Sequence, residues 1–404
     1  MSENLPMGTR PGIGRALPID HLRATLVLLV VAHHAVLAYV SYAPTPGAVW
    51  NAGPMAWRAF PVVDVARSQI LDLLVAFNDV VLMALFFFVA GLFTWQSLER
   101  KGATVFLRER ALRLGLPFIV CAGFLAPLAY FPAYIQHGGE RGLGPYLEAW
   151  GSLPGWPSGP AWFLWVLLGF SLLVAISHRL APRWGEALAD RLGPLGERPW
   201  TFFAVWVFFS ALVYMPIAHF VHPMTWFEFG PFSVQTSRVL HYALYFVFGI
   251  GVGVHGIDAG LLSPRGRLPR QWLVWQGMAM VCLLVVLVVV ITTFVQLEKG
   301  TLHPALPVLG SFTFVLSCAA SSLMLLSFFV RFGHWTGNLW RSLGRNSFGI
   351  YLVHYVFVNW LQLGLLDLQA PALLKAATVF GGAVMLSWGT SIGLRKIPGV
   401  GRVI

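Results

Sequence analysis

The first apolar segment of the sequence contains four residues whose types could carry out a transfer reaction. Asp20 and Arg23 stand near its start, and His33 and His34 stand about halfway along it. Arg23 and His34 are eleven positions apart, which on an α-helix corresponds to about 20° past three full turns and ~16 Å along the axis. One helix face would therefore carry both side chains, with Asp20 close enough to orient Arg23 and with His33 pointing ~100° away.

This arrangement suits the transfer of a group from an anionic donor to a hydroxyl. Arginine binds phosphates, and a neutral histidine accepts the proton of an attacking hydroxyl. We therefore predict catalytic roles for His34, Arg23 and Asp20. The structural alternative is that Arg23 only anchors the helix end, while His34 only hydrogen bonds to a neighbouring helix. The shared face and the second histidine favour the catalytic interpretation.

A second basic cluster, FLRERALRLGLPF, contains Arg108, Arg110 and Arg113. Arg110 and Arg113 are three residues apart and would share a helix face. Together with Arg23 they could bind the phosphates of a cofactor, although basic residues beside apolar segments also determine topology.

Isolated polar residues inside other apolar segments are candidates for lining a substrate cavity. With His33, they are Asp79, His241, Tyr351, His354 and Trp162. For a single intramembrane histidine or tyrosine, packing with one interhelical hydrogen bond is the commoner role. The sequence contains no GxxxxGK, CxxC or HExxH motif and no recognisable Ser-His-Asp order, so we predict no metal site and no ATP-driven transport.

The composition predicts an integral membrane protein. Of the 404 residues, 57% are hydrophobic and 11% are charged, whereas a soluble domain has about 25% charged residues. The apolar residues form runs long enough to cross a hydrocarbon core of ~30 Å, without the alternation typical of barrel strands. The expected fold class is all-α, and the net charge of +11 follows from topology rather than from a nucleic-acid partner.

About ten transmembrane helices are predicted, with both termini in the cytoplasm. The predicted spans are 22–43, 75–96, 112–135, 161–177, 200–217, 238–256, 271–295, 308–330, 348–366 and 371–392. This topology places 21 of the 27 Lys and Arg residues on the inner side, as the positive-inside rule requires. The six outer cations are Arg58, Arg67, Arg141, Arg238, Lys299 and Lys375.

The whole chain is expected to form one membrane domain. Residues 1–20 form a cytoplasmic segment without the apolar region of a signal peptide, 21–392 form the helical domain, and 393–404 form a cytoplasmic tail. The three cysteines lie inside apolar spans and are expected to be packing residues. The Gly- and Pro-rich stretch 151–160 suits either a re-entrant lead into the fourth span or a simple loop.

Four segments resemble the acyltransferase-3 family of ten-helix membrane acyltransferases. They are IDHLRATLVLLVVAHHA, LFFFVAGLF with FLRERALRLGLPF, PAWFLWVLL and NSFGIYLVHY. The family's Arg/Lys-ten residues-His signature falls on Arg23 and His34, and its RxxR motif falls on Arg110 and Arg113. Within the family, the chain looks closest to the branch typified by the bacterial osmoregulated-glucan succinyltransferase.

The resemblance implies transfer of an acetyl or succinyl group from cytosolic acyl-CoA to a hydroxyl of a glycan, lipid or small molecule. Arg23, Arg108, Arg110 and Arg113 would then hold CoA phosphates, and His34 would act as base or acyl relay. It also implies a multi-pass protein of the inner membrane and leaves a homo-oligomer open. The alternatives are a secondary transporter, against which no inverted repeat is visible, and a non-catalytic membrane partner of glycan enzymes.

Overall fold

The computed structural model describes residues 17–45, 56–153 and 155–404 and is built almost entirely of helices. Within this part of the chain, nine helices are long and apolar enough to cross a membrane. The predicted all-α, polytopic membrane fold is confirmed. The predicted cytoplasmic segment 1–20 lies mostly outside the described residues, and its last four residues already belong to the first helix.

In the part of the chain that the structure describes, ten long helices, α1–α10, make up the bundle. Their bounds are α1 Leu17–Val36, α2 Gln69–Leu92, α3 Ala103–Gln136, α4 Trp162–Leu180, α5 Pro199–Val221, α6 Val239–His255, α7 Trp272–Glu298, α8 Ala305–Phe332, α9 Asn338–Gly364 and α10 Ala372–Arg395. Each predicted span overlaps one of these helices, and several helices begin earlier than predicted.

Helix α9 is not among the nine apolar helices, although its 27 residues are long enough to cross a membrane. It carries several buried polar side chains, namely Asn346, Ser347, His354, Asn359 and Gln362. Because α9 packs against α1, α3 and α10, these groups face protein rather than lipid. The low average hydropathy of α9 therefore comes from polar side chains that the bundle buries.

Shorter elements lie in the connections. They are the helices Ala56–Ala59, Thr94–Lys101, Leu143–Gly151, Trp184–Gly196 and Arg267–Arg270 and a hairpin of β1, Trp226–Phe229, and β2, Phe232–Gln235. In the hairpin, Trp226 pairs with Gln235 and Phe229 pairs with Phe232. The stretch before α4 is a loop that ends in the 3₁₀ turn Gly159–Ala161. Gly151 ends the preceding short helix, so the loop itself consists of residues 152, 153 and 155–158 in the described part of this stretch.

Helix α3 departs twice from α-helical geometry. Its segments Ala111–Gly115 and Cys121–Leu125 are π-helical. A π-turn inserts about one extra residue per turn and often occurs at functional sites. The face shared by Arg110 and Arg113 was predicted for a regular α-helix, but Arg113 lies in the first π-helical segment.

Glycines bring α2 and α6 into backbone contact. A Cβ atom at Gly249 would lie 2.1 Å from the carbonyl oxygen of Phe88, and one at Gly253 would lie 2.0 Å from that of Leu92. Gly91 faces α6 just as closely, 2.2 Å from a backbone oxygen. Small residues four apart allow this close approach in membrane helices. The crossing fixes α2 relative to α6, and both helices supply polar residues described below.

The three cysteines Cys121, Cys282 and Cys318 are free and buried, as expected of packing residues.

On the side predicted to be outer, a buried ion pair holds the segment before α2 against α10. The ammonium of Lys375 lies 2.6 Å from a carboxylate oxygen of Asp64, and the two side chains are only 2% and 1% exposed. This pair clamps a loop onto the helical bundle.

Candidate active site

His34 on α1 and His354 on α9 face each other at the centre of the candidate site. His354 Nε2 lies 3.2 Å from His34 Nδ1, and the two ring centroids are 5.1 Å apart. His354 is fully buried, whereas His34 is only partly buried. The packing of α1 against α9 therefore brings together two histidines that are 320 residues apart.

The hydrogen bonds of this pair determine which nitrogen carries each proton. His354 Nδ1 lies 2.7 Å from the carbonyl oxygen of Tyr351, and His34 Nδ1 lies 2.9 Å from that of Val30. Because a carbonyl oxygen only accepts, both Nδ1 atoms are donors. In neutral rings, His354 Nε2 is then an acceptor for the His34 Nδ1–H, and His34 Nε2 is left unprotonated.

Two further α9 side chains support His34. Gln362 donates to the backbone carbonyls of His34 at 2.9 Å and Ala35 at 3.1 Å, close to the point where α1 ends. The ring of Tyr355 meets the His34 imidazole edge-on, with centroids 5.0 Å apart. The hydroxyl of Tyr355 lies 3.3 Å from that of Tyr130 on α3. Three helices thus fix the orientation of one imidazole.

The position of His33 and His34 along α1 differs from the sequence prediction. Both lie in the last turn of α1 rather than halfway along it. The cause is the placement of the helix, which begins at Leu17 and ends at Val36, whereas the predicted span was 22–43. Asp20 accordingly lies in the first turn of the helix instead of preceding it.

Asp20 and Arg23 form the expected pair at the other end of α1. The Arg23 guanidinium lies 3.2 Å from the Asp20 carboxylate, and the side chain of Arg23 is exposed. Asp20 thus orients Arg23, and the guanidinium is presented at the surface of this end of α1.

The α3 arginines differ in their surroundings. Arg110 is half-buried, donates to the Thr94 hydroxyl at 3.3 Å and lies over the ring of Phe106 at 5.1 Å. Arg113 is exposed, and its Nε donates at 3.4 Å to the backbone carbonyl of Arg402 in the C-terminal tail. Arg108 is exposed. The cluster retains cationic groups that no carboxylate within the described residues neutralises through an ion pair.

Asp79, on α2, forms a bidentate ion pair with Arg238 at the start of α6. The two oxygen–nitrogen distances are 2.9 and 2.6 Å, and the same guanidinium donates to the backbone carbonyl of Asp79 at 3.0 Å. Asp79 is also close enough to His33 to act on it electrostatically. The ring of His33 lies edge-on to that of His34, with centroids 5.3 Å apart.

The remaining cavity candidates lie at different distances from the two histidines. Tyr351 donates to the carbonyl of Pro160, so it holds the turn before α4 against α9. Trp162 stacks on Tyr242 with centroids 5.8 Å apart. His241 is fully buried among aromatic rings, and no contact between described residues joins it to His34. Its role in lining a substrate cavity stays a prediction.

Sequence analysis did not identify two residues of this region as functional. Gln362 was overlooked because a single glutamine near a predicted span end resembles an interfacial residue. Arg238 was counted only as an outer cation. A carboxylate inside an apolar helix requires a partner, and this requirement was the signal that could have pointed to Arg238. Within the described residues, no group of three or more His, Cys, Asp or Glu side chains could hold a metal ion.

Comparison with known protein families gives one match that covers nearly the whole chain. The profile of the acyltransferase-3 family, described as an acyltransferase domain, matches residues 18–392. No curated protein and no solved structure matches the chain in the corresponding comparisons. The matched region begins one residue after the start of α1 and ends within α10. It therefore includes His34, His354 and the α3 arginines, and the chain belongs to the acyltransferase-3 family and is a multi-pass membrane acyltransferase.

Proposed function

We propose that this acyltransferase moves an acyl group from cytosolic acyl-CoA to a hydroxyl of a glycan, another envelope molecule or a small molecule. The observation that carries the proposal is the geometry of His34. Its Nδ1–H is engaged by Val30 and His354, so the lone pair of Nε2 is available to a substrate. An imidazole oriented in this way by a second group is the usual arrangement of a general base.

The proposed reaction balances without an additional cofactor. The acceptor hydroxyl loses its proton to His34 Nε2 while its oxygen attacks the carbonyl carbon of the thioester. The carbon–sulfur bond breaks, and the leaving CoA thiolate takes the proton from the imidazolium. The products are an O-acyl ester and free CoA, and His34 returns to its neutral form. His354 stabilises the imidazolium through the Nδ1 hydrogen bond.

The α3 cluster and Arg23 are proposed to bind the donor. Acyl-CoA carries several phosphate charges, and guanidinium groups bind phosphates by charge-assisted hydrogen bonds. Arg110 is best suited, because it is half-buried and contacts Thr94 and Phe106 without forming an ion pair to a carboxylate among the described residues. Arg113 and Arg108 are exposed beside it. Arg23, paired with Asp20, is at the opposite end of α1 from His34.

Several finer features remain part of the proposal. The resemblance to the osmoregulated-glucan succinyltransferase branch supports an acetyl or succinyl donor and a glycan acceptor. The charge distribution supports an inner-membrane protein with both termini in the cytoplasm. The chemistry uses no metal ion and no nucleic acid, and a homo-oligomer is compatible with it.

The test is a comparison of purified variants in liposomes with labelled acetyl-CoA and succinyl-CoA. Cell-envelope extract is supplied as acceptor, and both release and transfer of the label are measured. We expect His34→Ala to lower the transfer rate by a factor of roughly 10² to 10⁴, the usual contribution of a general base. We expect Arg23→Ala to weaken donor use, and the better of the two donors identifies the acyl group.

Matched controls separate this outcome from general damage to the protein. His219→Ala removes an exposed histidine, and Arg141→Ala removes an exposed arginine on the predicted outer side. Both variants should retain wild-type transfer. Full acyl transfer by His34→Ala would refute the proposal, because no other described histidine has the same combination of contacts.

A further inference from the structure

Asp79 is unusually exposed for its depth in a membrane helix. It is the eleventh residue of α2, about 15 Å along the axis from the start of the helix. Its side chain is nevertheless 53% exposed, while those of its neighbours Asn78 and Val80 are buried. An ionised carboxylate is very costly in hydrocarbon. Its free side must therefore face water rather than lipid.

The ion pair with Arg238 does not by itself explain this exposure. A pair that serves only to hold helices together can be fully enclosed, as Asp64 and Lys375 are at 1% and 2% exposure. In the other pair, the Arg238 side chain is 9% exposed and lies over the ring of Phe314, but Asp79 is open. Arg238 therefore fixes one side of the carboxylate and leaves the other side available to a ligand.

Aromatic rings lie near the Asp79–Arg238 pair, where Tyr242 is within electrostatic range of both partners. Tyr242, one turn after Arg238 on α6, is stacked by Trp162 from α4 with centroids 5.8 Å apart. Trp226 of the β1–β2 hairpin meets Trp162 edge-on at 6.3 Å. Both tryptophans are half-buried, so part of each ring is exposed. The hairpin and the start of α4 thus supply apolar ring faces near the start of α6, where Arg238 pairs with Asp79.

His33 connects this region to the proposed catalytic base. It lies within electrostatic range of Asp79, and its ring is 5.3 Å from the ring of His34. Its Nδ1 is enclosed and has no hydrogen-bond partner within the described residues. An acceptor molecule bound at Asp79 would therefore lie next to the residue that precedes the base in the chain.

We propose that Asp79, held by Arg238, is an acceptor subsite and that it binds a neutral, hydroxyl-rich molecule such as a sugar unit. A carboxylate with one free side accepts hydrogen bonds from hydroxyls, and aromatic rings pack against the C–H faces of a sugar. The guanidinium neutralises the carboxylate, so the pair offers no net charge to a charged acceptor. This inference rests on the proposed acyl transfer, because it assigns the acceptor to the same active site.

The test measures binding without requiring catalysis. Ala76, one turn before Asp79 on α2, is half-buried, and an Ala76→Cys variant keeps the ion pair intact. The native cysteines Cys121, Cys282 and Cys318 are replaced by alanine. The purified protein in liposomes is treated from the outer side with a membrane-impermeant thiol reagent, with and without a neutral glucose tetrasaccharide as probe.

We expect Ala76→Cys to react and the tetrasaccharide to slow the reaction. Adding Asp79→Asn should weaken this protection roughly ten- to a hundredfold in probe concentration, the usual effect of losing hydrogen bonds to a charged group. Val80→Cys, at a buried position of the same helix, should react much more slowly. A melting temperature close to that of the parent would show that Asp79→Asn has not unfolded the protein.

Three outcomes would overturn the inference. They are failure of Ala76→Cys to react from the outside, equal protection with and without Asp79→Asn, and stronger protection by an anionic sugar such as a glucuronate oligomer. Protection does not depend on the chemistry of His34. Failure of the acceptor subsite and failure of the acyl-transfer proposal would therefore be seen in different experiments.

Discussion

At the scale of single residues, the basic nitrogen of His34 depends on a histidine from another helix. The Nδ1–H of His34 is shared between a carbonyl oxygen and the Nε2 atom of His354, and the Nδ1–H of His354 is donated to the carbonyl oxygen of Tyr351. A neutral imidazole has one donor and one acceptor, so this chain of contacts leaves the acceptor of His34 at Nε2. His354 is therefore a positioning residue, and its expected effect is on the rate of the chemical step.

Substitution of His354 tests this role. We expect His354→Leu to lower kcat roughly 100-fold while the KM for acyl-CoA stays near the wild-type value, because the donor site is separate. In His354→Gln, the side-chain oxygen can accept the Nδ1–H of His34, so this variant should recover part of the lost rate. Steady-state kinetics would decide. Equal kcat values for the leucine and glutamine variants would contradict the positioning role.

The sequence alone predicted how the functional residues of α1 are arranged, but it did not predict which residues of other helices contact them. The spacing of Arg23 and His34 and the proximity of Asp20 to Arg23 follow from helix geometry alone. His354 was proposed only as one of several cavity candidates, because nothing in the local sequence indicates a partner 320 residues away. The contact between His34 and His354 depends on the packing of α1 against α9 and therefore required the fold.

At the scale of helices, the glycines of α6 determine how closely it approaches α2. Gly249 and Gly253 face the backbone of α2, where a Cβ atom would lie 2.1 and 2.0 Å from a carbonyl oxygen. The sequence FGIGVGV shows this spacing, but it does not reveal which helix is the partner. The sequence of α9 likewise does not reveal its partners. Its polar residues lower its hydropathy, and only the fold shows that neighbouring helices bury them.

We expect Gly249→Ala to destabilise the protein by about 1–3 kcal/mol, because the added methyl group forces two backbones apart. The matched control is Gly277→Ala in α7, where a Cβ atom would meet nothing within 4 Å. This control should be neutral or slightly stabilising, since alanine favours helix. Thermal unfolding in detergent measures both changes. A Gly249→Ala variant as stable as its control would show that the crossing can relax.

At the scale of the whole molecule, ion pairs hold the predicted outer side together. Arg58, in the short helix before α2, pairs with Glu228 of β1 at 2.5 Å. Lys375 of α10 pairs with Asp64 in the segment before α2. Arg238 links α6 to α2 through Asp79. Three of the six outer cations thus form ion pairs within the protein. Counting Lys and Arg residues on each side of the membrane could not reveal these pairs, because the positive-inside rule considers position and not contacts.

Breaking the most buried of these pairs should affect stability strongly. In Lys375→Met, the carboxylate of Asp64 stays enclosed without its counter-ion, and we expect a loss of about 3–5 kcal/mol. The double variant Lys375→Met with Asp64→Asn should recover part of this loss, because it removes the unpaired charge. Melting temperatures of the two variants and the wild type test the prediction. A single variant as stable as the wild type would contradict it.

The placement of Arg23 and His34 at opposite ends of α1 has an energetic consequence for the cell. If the hydroxyl arrives from outside while CoA leaves into the cytosol, each turnover carries one proton inward together with the departing thiol. With an uncharged acetyl group, the outward passage of the acyl group balances the inward passage of the proton, so the charge on each side of the membrane does not change. A succinyl group carries one negative charge outward, and an inside-negative membrane potential of 100 mV then favours the reaction by about 2.3 kcal/mol. Liposomes with an imposed potential of this sign should therefore show faster succinyl transfer and unchanged acetyl transfer.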